Sequence, residues 1–178
     1  MTENKNAKKL KIILFGEPVL RQTAKPVTVF HKKLHAFIDS MSATLDACND
    51  GAALAANQVG ELKKLTVINY LGEYLELINP EIIESTGEQT DYEGCLSYPG
   101  YIGRVTRAET IKVKYVDRFG KEKVIERSGK MSRCIQHEID HLNGILFIDK
   151  VREDHLVHAD TDTEISIEYV RELADTKK

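Results

Sequence analysis

Residues 137–141 (HEIDH) form the pattern H-E-x-x-H within a stretch of helical periodicity. Residues four apart lie on one face of an α-helix, about 5–6 Å apart at Cβ, so His137 and His141 can bind the same metal ion. Glu138 directly follows the first histidine, which lets its carboxylate reach a water on that metal rather than the metal itself. The motif therefore predicts a metal-dependent hydrolase with Glu138 as its base.

A cysteine in a short glycine-containing segment, residues 93–97 (EGCLS), is the candidate third ligand. Two histidines and one cysteine leave the fourth position of a tetrahedral metal open for water, as in catalytic sites. Gly94 allows the backbone to come close to the site at Cys95, and the Leu96 N–H is then a donor beside the metal. The alternative is a cysteine packed as a small hydrophobic side chain, but Cys95 lies in a loop outside any apolar periodicity.

The other two cysteines have simpler interpretations. Cys134 lies three residues before His137 on the same helix face, and if it joined Cys95 the metal would occupy a closed Cys₂His₂ structural site. Residues seven apart lie about 10 Å apart along a helix, too far for Cys134 and His141 to share an ion easily. We expect Cys134 to pack in the core, as we do Cys48 on the apolar face of an earlier helix.

Residues 51–60 (GAALAANQVG) are rich in small side chains, which permits close backbone approach. Gln58 can donate its amide N–H₂ to an oxygen that becomes negatively charged during a reaction. Taken alone, the segment also fits a tightly packed turn with a surface glutamine.

The composition of the chain limits the classes of protein to which it can belong. The chain has 178 residues, 42% hydrophobic and 30% charged, with a net charge of -3. This predicts one soluble domain over residues 1–178 and gives no electrostatic case for nucleic acid as a partner. There is no secretory signal, no apolar run of about 20 residues to cross a membrane, and an odd number of cysteines, so we expect a cytoplasmic protein.

The elements that position the motifs follow from periodicity. Apolar residues at 34, 37, 38, 41, 45 and 48 predict an amphipathic helix that ends near residues 49–51. Residues 64–70 and 74–79 predict one strand pair, and 111–117 and 123–127 predict a hairpin. A helix is predicted over residues 130–143 with Gly144 at its end. The tail fits a strand or a helix. We therefore expect an α+β fold, in which antiparallel β-sheets pack around a central metal-binding helix.

Together the three segments resemble the peptide deformylases, with residues 51–58, 93–97 and 136–141 similar to the three motifs of that family. The resemblance extends to residues 16–21 and 141–144, and so covers roughly residues 12–150. Residues 1–10 are expected to be frayed and 155–178 to be a variable tail.

The resemblance implies removal of the N-formyl group from the N-terminal methionine of new polypeptides, with release of formate after attack of a metal-bound hydroxide. It implies that Cys95, His137 and His141 hold one divalent metal, natively Fe(II), which Ni(II) or Zn(II) can replace. Glu138 would be the general base, and Gln58 and the Leu96 N–H would stabilise the oxyanion.

The resemblance also implies that Gly51, Ala53 and Cys134 border the bound peptide. The family usually has a glycine where this chain has Ala53 and a branched residue where it has Ala52. Lys130 and Ser132 make the approach to His137 more polar than usual. These departures predict a wider or more polar methionine pocket.

Partners follow from the same resemblance. The substrates are N-formyl-methionyl nascent peptides, which implies transient proximity to the ribosome. Residues 160–178 carry six acidic and three basic side chains, so electrostatic docking of this tail on RNA is not expected.

Two other classes remain open from the residues. One is an H-E-x-x-H peptidase whose third ligand lies downstream, with His155, His158, Glu153 and Glu164 available. The other is a non-enzymatic module with a closed metal site, or a binder of formyl peptides.

Overall fold

The computed structural model describes residues 7–49 and 51–175. This part of the chain forms nine β-strands and three α-helices. The strands are β1 (Ala53–Ala55), β2 (Leu65–Tyr70), β3 (Glu73–Thr86), β4 (Gln89–Cys95), β5 (Tyr98–Arg107), β6 (Thr110–Val116), β7 (Glu122–Ser128), β8 (His155–His158) and β9 (Glu164–Ser166), and the helices are α1 (Lys32–Leu45), α2 (Gly129–Leu142) and α3 (Ile167–Asp175).

The strands form two antiparallel sheets. The first has the order β1-β2-β3-β6-β7 and the second has the order β4-β5-β8-β9. Two tight hairpins set the register of the first sheet, β2–β3 through Leu71 and Gly72 and β6–β7 through residues 117–121. Both central residues of the β2–β3 turn have positive φ, 52° and 78°, which matches the right-handed twist of the strands.

The first sheet lies between α1 and α2. Side chains alternate along β2, so Leu65 and Val67 pack against α1, whereas Ile68 faces the opposite way and packs against α2. Ile38 of α1 and Ile135 of α2 are fully buried on these two sides. Burial of each such side chain stabilises the fold by about 1.5–3 kcal/mol.

Helix α2 is central because its other side meets the second sheet. Arg133 of α2 donates to Glu93 of β4 over 2.6 Å and to the Val105 carbonyl of β5 over 2.9 Å. The predicted α+β fold, with antiparallel sheets around a central helix, is confirmed.

The predicted strand pair and hairpin correspond to β2–β3 and β6–β7, although β3 continues to Thr86. Helix α1 ends at Leu45, earlier than the pattern suggested, and Asp50 lies outside the described residues. The prediction that residues 93–97 form a loop is wrong. Cys95 ends strand β4, and only Leu96 and Ser97 form the turn into β5.

Helix α2 ends where the sequence predicts. Gly144 has φ +73° and its N–H donates to the His141 carbonyl over 3.0 Å. A Cβ at this position would lie 2.4 Å from the Arg21 carbonyl oxygen, so only glycine fits both the left-handed conformation and the close approach.

Both ends of the described part of the chain are tied to the body of the protein. Residues 1–6 lie outside the described part, but Leu10 donates its N–H to Thr44 Oγ1 over 2.8 Å, so fraying does not extend to residue 10. In the tail both expectations apply, because a short strand, β9, leads directly into α3. Ile167 and Val170 are buried in the core of the second sheet.

Candidate metal centre and active site

Three elements bring the predicted site residues together. Cys95 ends β4 beyond a register shift that begins at Glu93. His137 and His141 lie one turn apart on α2. Gln58 lies in a 3₁₀ turn, Ala56–Val59, directly after the short strand β1.

The Cys95 sulfur and the two histidine nitrogens converge on one point. His137 Nε2 lies 3.1 Å from His141 Nε2, and Cys95 Sγ lies 3.3 Å from His141 Nε2. Donor atoms bonded at about 2.0–2.3 Å in a tetrahedron are roughly 3.3–3.6 Å apart, so these separations fit a shared metal ion. Among the described residues, no other group of three or more His, Cys, Asp or Glu side chains offers such a site.

Glu93 fixes the orientation of His137. Its Oε2 lies 2.9 Å from His137 Nδ1, which places a proton on Nδ1 and leaves the Nε2 lone pair directed at the metal position. Arg107 and Arg133 both donate to the same carboxylate, over 2.8 Å and 2.6 Å. Burial opposes ionisation, but the bonds from Arg107 and His137 outweigh it and hold the pKa of Glu93 well below its usual range.

The surroundings of His137 stabilise positive charge. Burial disfavours an imidazolium there, but the Cys95 sulfur and the Glu93 carboxylate outweigh it and raise the pKa of His137 to about 10. A divalent metal ion would supply positive charge at this position, and a thiolate with two imidazoles is a donor set that first-row metals accept.

Glu138 is buried beside these ligands. Its Oε2 accepts a hydrogen bond from the Thr66 hydroxyl over 3.2 Å. Burial raises the pKa of Glu138 to about 7, partly opposed by the nearby His137 and the bond from Thr66. A carboxylate in such an environment can accept and return a proton near neutral pH.

Gln58 is held with its amide nitrogen toward the cysteine. Its Oε1 accepts from the Ala55 N–H over 2.8 Å, while Nε2 lies 3.1 Å from Ser97 Oγ and 3.5 Å from Cys95 Sγ. The backbone bond to Ala55 settles which end of the amide carries the donor. Gln58 is buried rather than at the surface. Leu96 follows Cys95 in the turn.

Of the three predicted peptide-binding residues, Ala53 and Cys134 lie together. Both pack in the apolar cluster that α2 forms with the first sheet, alongside Ile135 and Ile139. Gly51 packs against the last residue of α1. A Cβ at this position would lie only 2.9 Å from Leu45 Cδ1.

The two residues expected to make the approach polar differ in their surroundings. Lys130 is exposed. Ser132 is fully buried and donates its hydroxyl to the Ala108 carbonyl over 3.0 Å, so the backbone already engages that polar group.

The residues that the other two classes required are not grouped with the metal ligands. His155 lies 2.8 Å from Asp154 and 3.7 Å from Glu164, while the His158 ring packs edge-on against Tyr101. Burial raises the pKa of the Cys134 thiol well above its usual range, which disfavours the thiolate that a metal needs.

Sequence reasoning missed the partners of the predicted residues. Glu93 and Ser97 were inside a recognised motif but received no role. Arg107 and Arg133 gave no local signal, since the chain separates them from Glu93 by 14 and 40 residues. Thr66 had one signal, a hydroxyl between the apolar residues Leu65 and Val67.

The fold and this site define a metal-dependent hydrolase of the H-E-x-x-H type, in which Cys95, His137 and His141 are grouped so that they could hold a metal ion. The sequence matches the family described as polypeptide deformylase over residues 9–156. A peptide deformylase of Thermoanaerobacter pseudethanolicus is 52% identical over 135 residues, which cover 76% of this chain and 84% of that protein.

Comparison with solved structures points to the same family. A peptide deformylase from Thermotoga maritima has a TM-score of 0.79 and 40% identity, covering 82% of this chain and 99% of that one. One from Acinetobacter baumannii, bound to Met-Ala-Ser, has a TM-score of 0.76 and 33% identity, covering 82% of this chain and 99% of that one. The chain belongs to the peptide deformylase family, and its expected function, metal-dependent removal of the N-formyl group, is confirmed.

None of the helices in the described part of the chain has the length and apolar character to cross a membrane.

Proposed function

We propose that Cys95, His137 and His141 hold one divalent metal ion, natively Fe(II) with Ni(II) or Zn(II) as substitutes, and that the surrounding side chains use it to hydrolyse N-formyl-methionyl peptides. The observation that carries this proposal is the convergence of the three donor atoms, with separations of 3.1 and 3.3 Å, beside a buried glutamate. When bound, such an ion lowers the pKa of water and polarises a carbonyl oxygen.

Glu138 transfers the proton. Its carboxylate takes a proton from the water as the water attacks the formyl carbon, and it then returns that proton to the departing amine. The position directly after His137 supports this role, because the side chain is next to a metal ligand without being one of the three converging donors.

Gln58 and the Leu96 N–H stabilise the negative charge that develops on the formyl oxygen. The amide of Gln58 is preorganised, since its Oε1 is already bonded to Ala55 and its Nε2 points toward Cys95. Donors fixed before the reaction stabilise the transition state without having to reorganise.

The methionine side chain of the substrate packs in the apolar region near Ala53 and Cys134, with Gly51 bordering the peptide further along. The relative that carries Met-Ala-Ser supports a peptide of this kind. The small side chain of Ala52, where relatives usually carry a branched residue, predicts a wider pocket than usual. Comparison of kcat/KM for formyl-Met and formyl-Leu peptides tests this, and a strong preference for methionine would contradict it.

The cellular setting is part of the same proposal. An Fe(II)–thiolate site requires a reducing compartment, which supports the cytoplasm, where nascent peptides leave the ribosome. The acidic tail, with Glu168 and Glu172 on α3, disfavours direct docking on RNA.

Formate release from formyl-Met-Ala-Ser by anaerobically prepared protein, loaded with Fe(II) or Ni(II), tests the assignment. We expect turnover by the parent protein and a loss of about 10²-fold or more in Glu138→Ala. Glu88→Ala, which removes an exposed carboxylate, is the matched control and should retain full activity. Equal turnover by Glu138→Ala and Glu88→Ala at equal metal content would contradict the role of Glu138.

A further inference from the structure

A buried hydroxyl in the first sheet lies against the proposed catalytic base. Thr66 is the second residue of β2 and is 0% exposed. Its neighbours Leu65 and Val67 pack toward α1, so alternation directs Thr66 to the opposite face of the sheet, the face that Ile68 shares with α2.

The Thr66 hydroxyl has two acceptors within reach. Its Oγ1 lies 3.2 Å from Glu138 Oε2 and 3.0 Å from the carbonyl oxygen of Leu54 on the neighbouring strand β1. A hydroxyl carries one proton and can donate to only one of them at a time. An ionised carboxylate is the stronger acceptor, so the proton goes to Glu138 when that side chain is charged.

We propose that Thr66 is a positioning residue for deformylation. Its hydroxyl holds Oε2 of Glu138, which fixes the carboxylate so that the other oxygen stays available for the reacting water and the leaving amine. This inference rests on the proposed role of Glu138 as the base and adds to it a residue outside the recognised motifs.

The second acceptor gives the hydroxyl a partner throughout the reaction. When Glu138 has taken a proton on its other oxygen, Oε2 is a weaker acceptor, and Thr66 can turn its own proton to the Leu54 carbonyl. The Thr66 hydroxyl therefore has an acceptor both before and after proton transfer, without movement of the backbone.

A simpler role is also consistent with the contacts, because the hydroxyl could serve only to tie β1 to β2 through Leu54. Two substitutions separate the roles. Thr66→Val keeps the branched shape but removes the hydroxyl, whereas Thr66→Ser keeps the hydroxyl. Thr44→Val is the matched control, since Thr44 is also a buried threonine, 4% exposed, whose hydroxyl donates to a carbonyl, that of Ser40 over 2.6 Å.

The first measurement is kcat and KM for formyl-Met-Ala-Ser with nickel-loaded proteins. We expect Thr66→Val to lower kcat by about tenfold or more with KM changed less than about twofold, because a hydrogen bond to a charged group is lost. Thr66→Ser should recover most of the parent kcat, and Thr44→Val should match the parent. A kcat for Thr66→Val equal to that of Thr44→Val would overturn the inference.

The second measurement needs no metal and no turnover. The urea midpoint of the metal-free protein is compared for Thr66→Val in the parent and in Glu138→Ala. If the hydroxyl serves Glu138, Thr66→Val lowers the midpoint more in the parent, where it leaves a buried carboxylate without its donor. Equal shifts in both backgrounds would mean that the hydroxyl serves Leu54 alone, and the inference would be wrong.

The two proposals fail separately. If Glu138→Ala retains full turnover, the assignment of the base is wrong and the role of Thr66 fails with it. If Glu138→Ala is inactive but Thr66→Val keeps the parent kcat, only the positioning role is lost.

Discussion

Two layers of this protein are built from opposite kinds of contact. The α1 layer, between α1 and the first sheet, has an apolar core in which Ile38 and Met41 are fully buried. The ion pairs of Arg118 with Glu76 and with Asp39 of α1 are partly exposed. The α2 layer, between α2 and the second sheet, contains a buried ion network around Glu93.

The contacts of the α1 layer serve mainly stability, whereas those of the α2 layer serve the geometry of the site. Apolar burial is non-directional and tolerates small shifts, which suffices for the α1 layer. In the proposed metal site the α2 layer directs the His137 imidazole at the ion, and charged hydrogen bonds from Arg107 and Arg133 fix the Glu93 carboxylate that orients this ring. A buried network of this kind is weak evidence for stability but is a good means of orienting a ligand.

The largest effect on activity should come from substitution of Cys95, with Cys48 as the control. Cys95→Ala removes a converging donor, so we expect loss of bound metal and a fall in formate release of about 10³-fold or more. Cys48 follows α1 by three residues, and Cys48→Ala removes a partly buried thiol that donates to the Thr44 carbonyl. This variant should keep both the bound metal and the turnover. Metal analysis with turnover assays checks this, and full metal content in Cys95→Ala would break the comparison.

Gln58→Leu should cause the next largest loss. Removal of an oxyanion donor is expected to lower turnover by about 100-fold or more while the metal stays bound. The readouts are kcat and metal content. Turnover near that of the parent would refute the oxyanion role of Gln58.

Glu93→Gln tests whether the ion network of the α2 layer serves the metal site, in contrast to the ion pair of Glu76 in the α1 layer. It weakens the bond that orients His137, so we expect metal affinity to fall by about 10–100-fold, measured by competition with a chelator. The control is Glu76→Gln, which alters the pair with Arg118 in the α1 layer and should leave affinity unchanged. The same loss of affinity in both variants would show that any ion pair has this effect.

The smallest effect on activity should come from Ile38→Ala. The substitution leaves a cavity in the α1 layer, which should destabilise the fold by about 2–5 kcal/mol and lower the thermal midpoint. At a temperature where the variant is folded, kcat should stay within about twofold of the parent. A large fall in kcat with normal metal content would show that the α1 layer also positions the site.

Local patterns predicted much of the molecule. The four-residue spacing of His137 and His141 is a property of one helix, and the alternation in β2 and β6 is visible within each strand. Strands β4 and β5 were missed because glycines and a proline interrupt them, as at Gly94 and Pro99.

The rest could not be read locally because it is tertiary. Glu93 meets Arg107 across a strand pair and meets Arg133 on a helix, and only the packed fold brings them together. The same holds for Thr66, which is 72 residues from Glu138 along the chain. Gly51 also has a tertiary neighbour that its sequence context did not indicate, since a Cβ there would lie 2.9 Å from Leu45 Cδ1.

The most direct test of the metal centre is X-ray absorption at the nickel edge of the nickel-loaded protein, beside Cys95→Ser. The account predicts one sulfur neighbour at about 2.3 Å and two imidazole nitrogens at about 2.0–2.1 Å, with the sulfur absent in Cys95→Ser. A parent spectrum with only nitrogen and oxygen neighbours would contradict the assignment of Cys95.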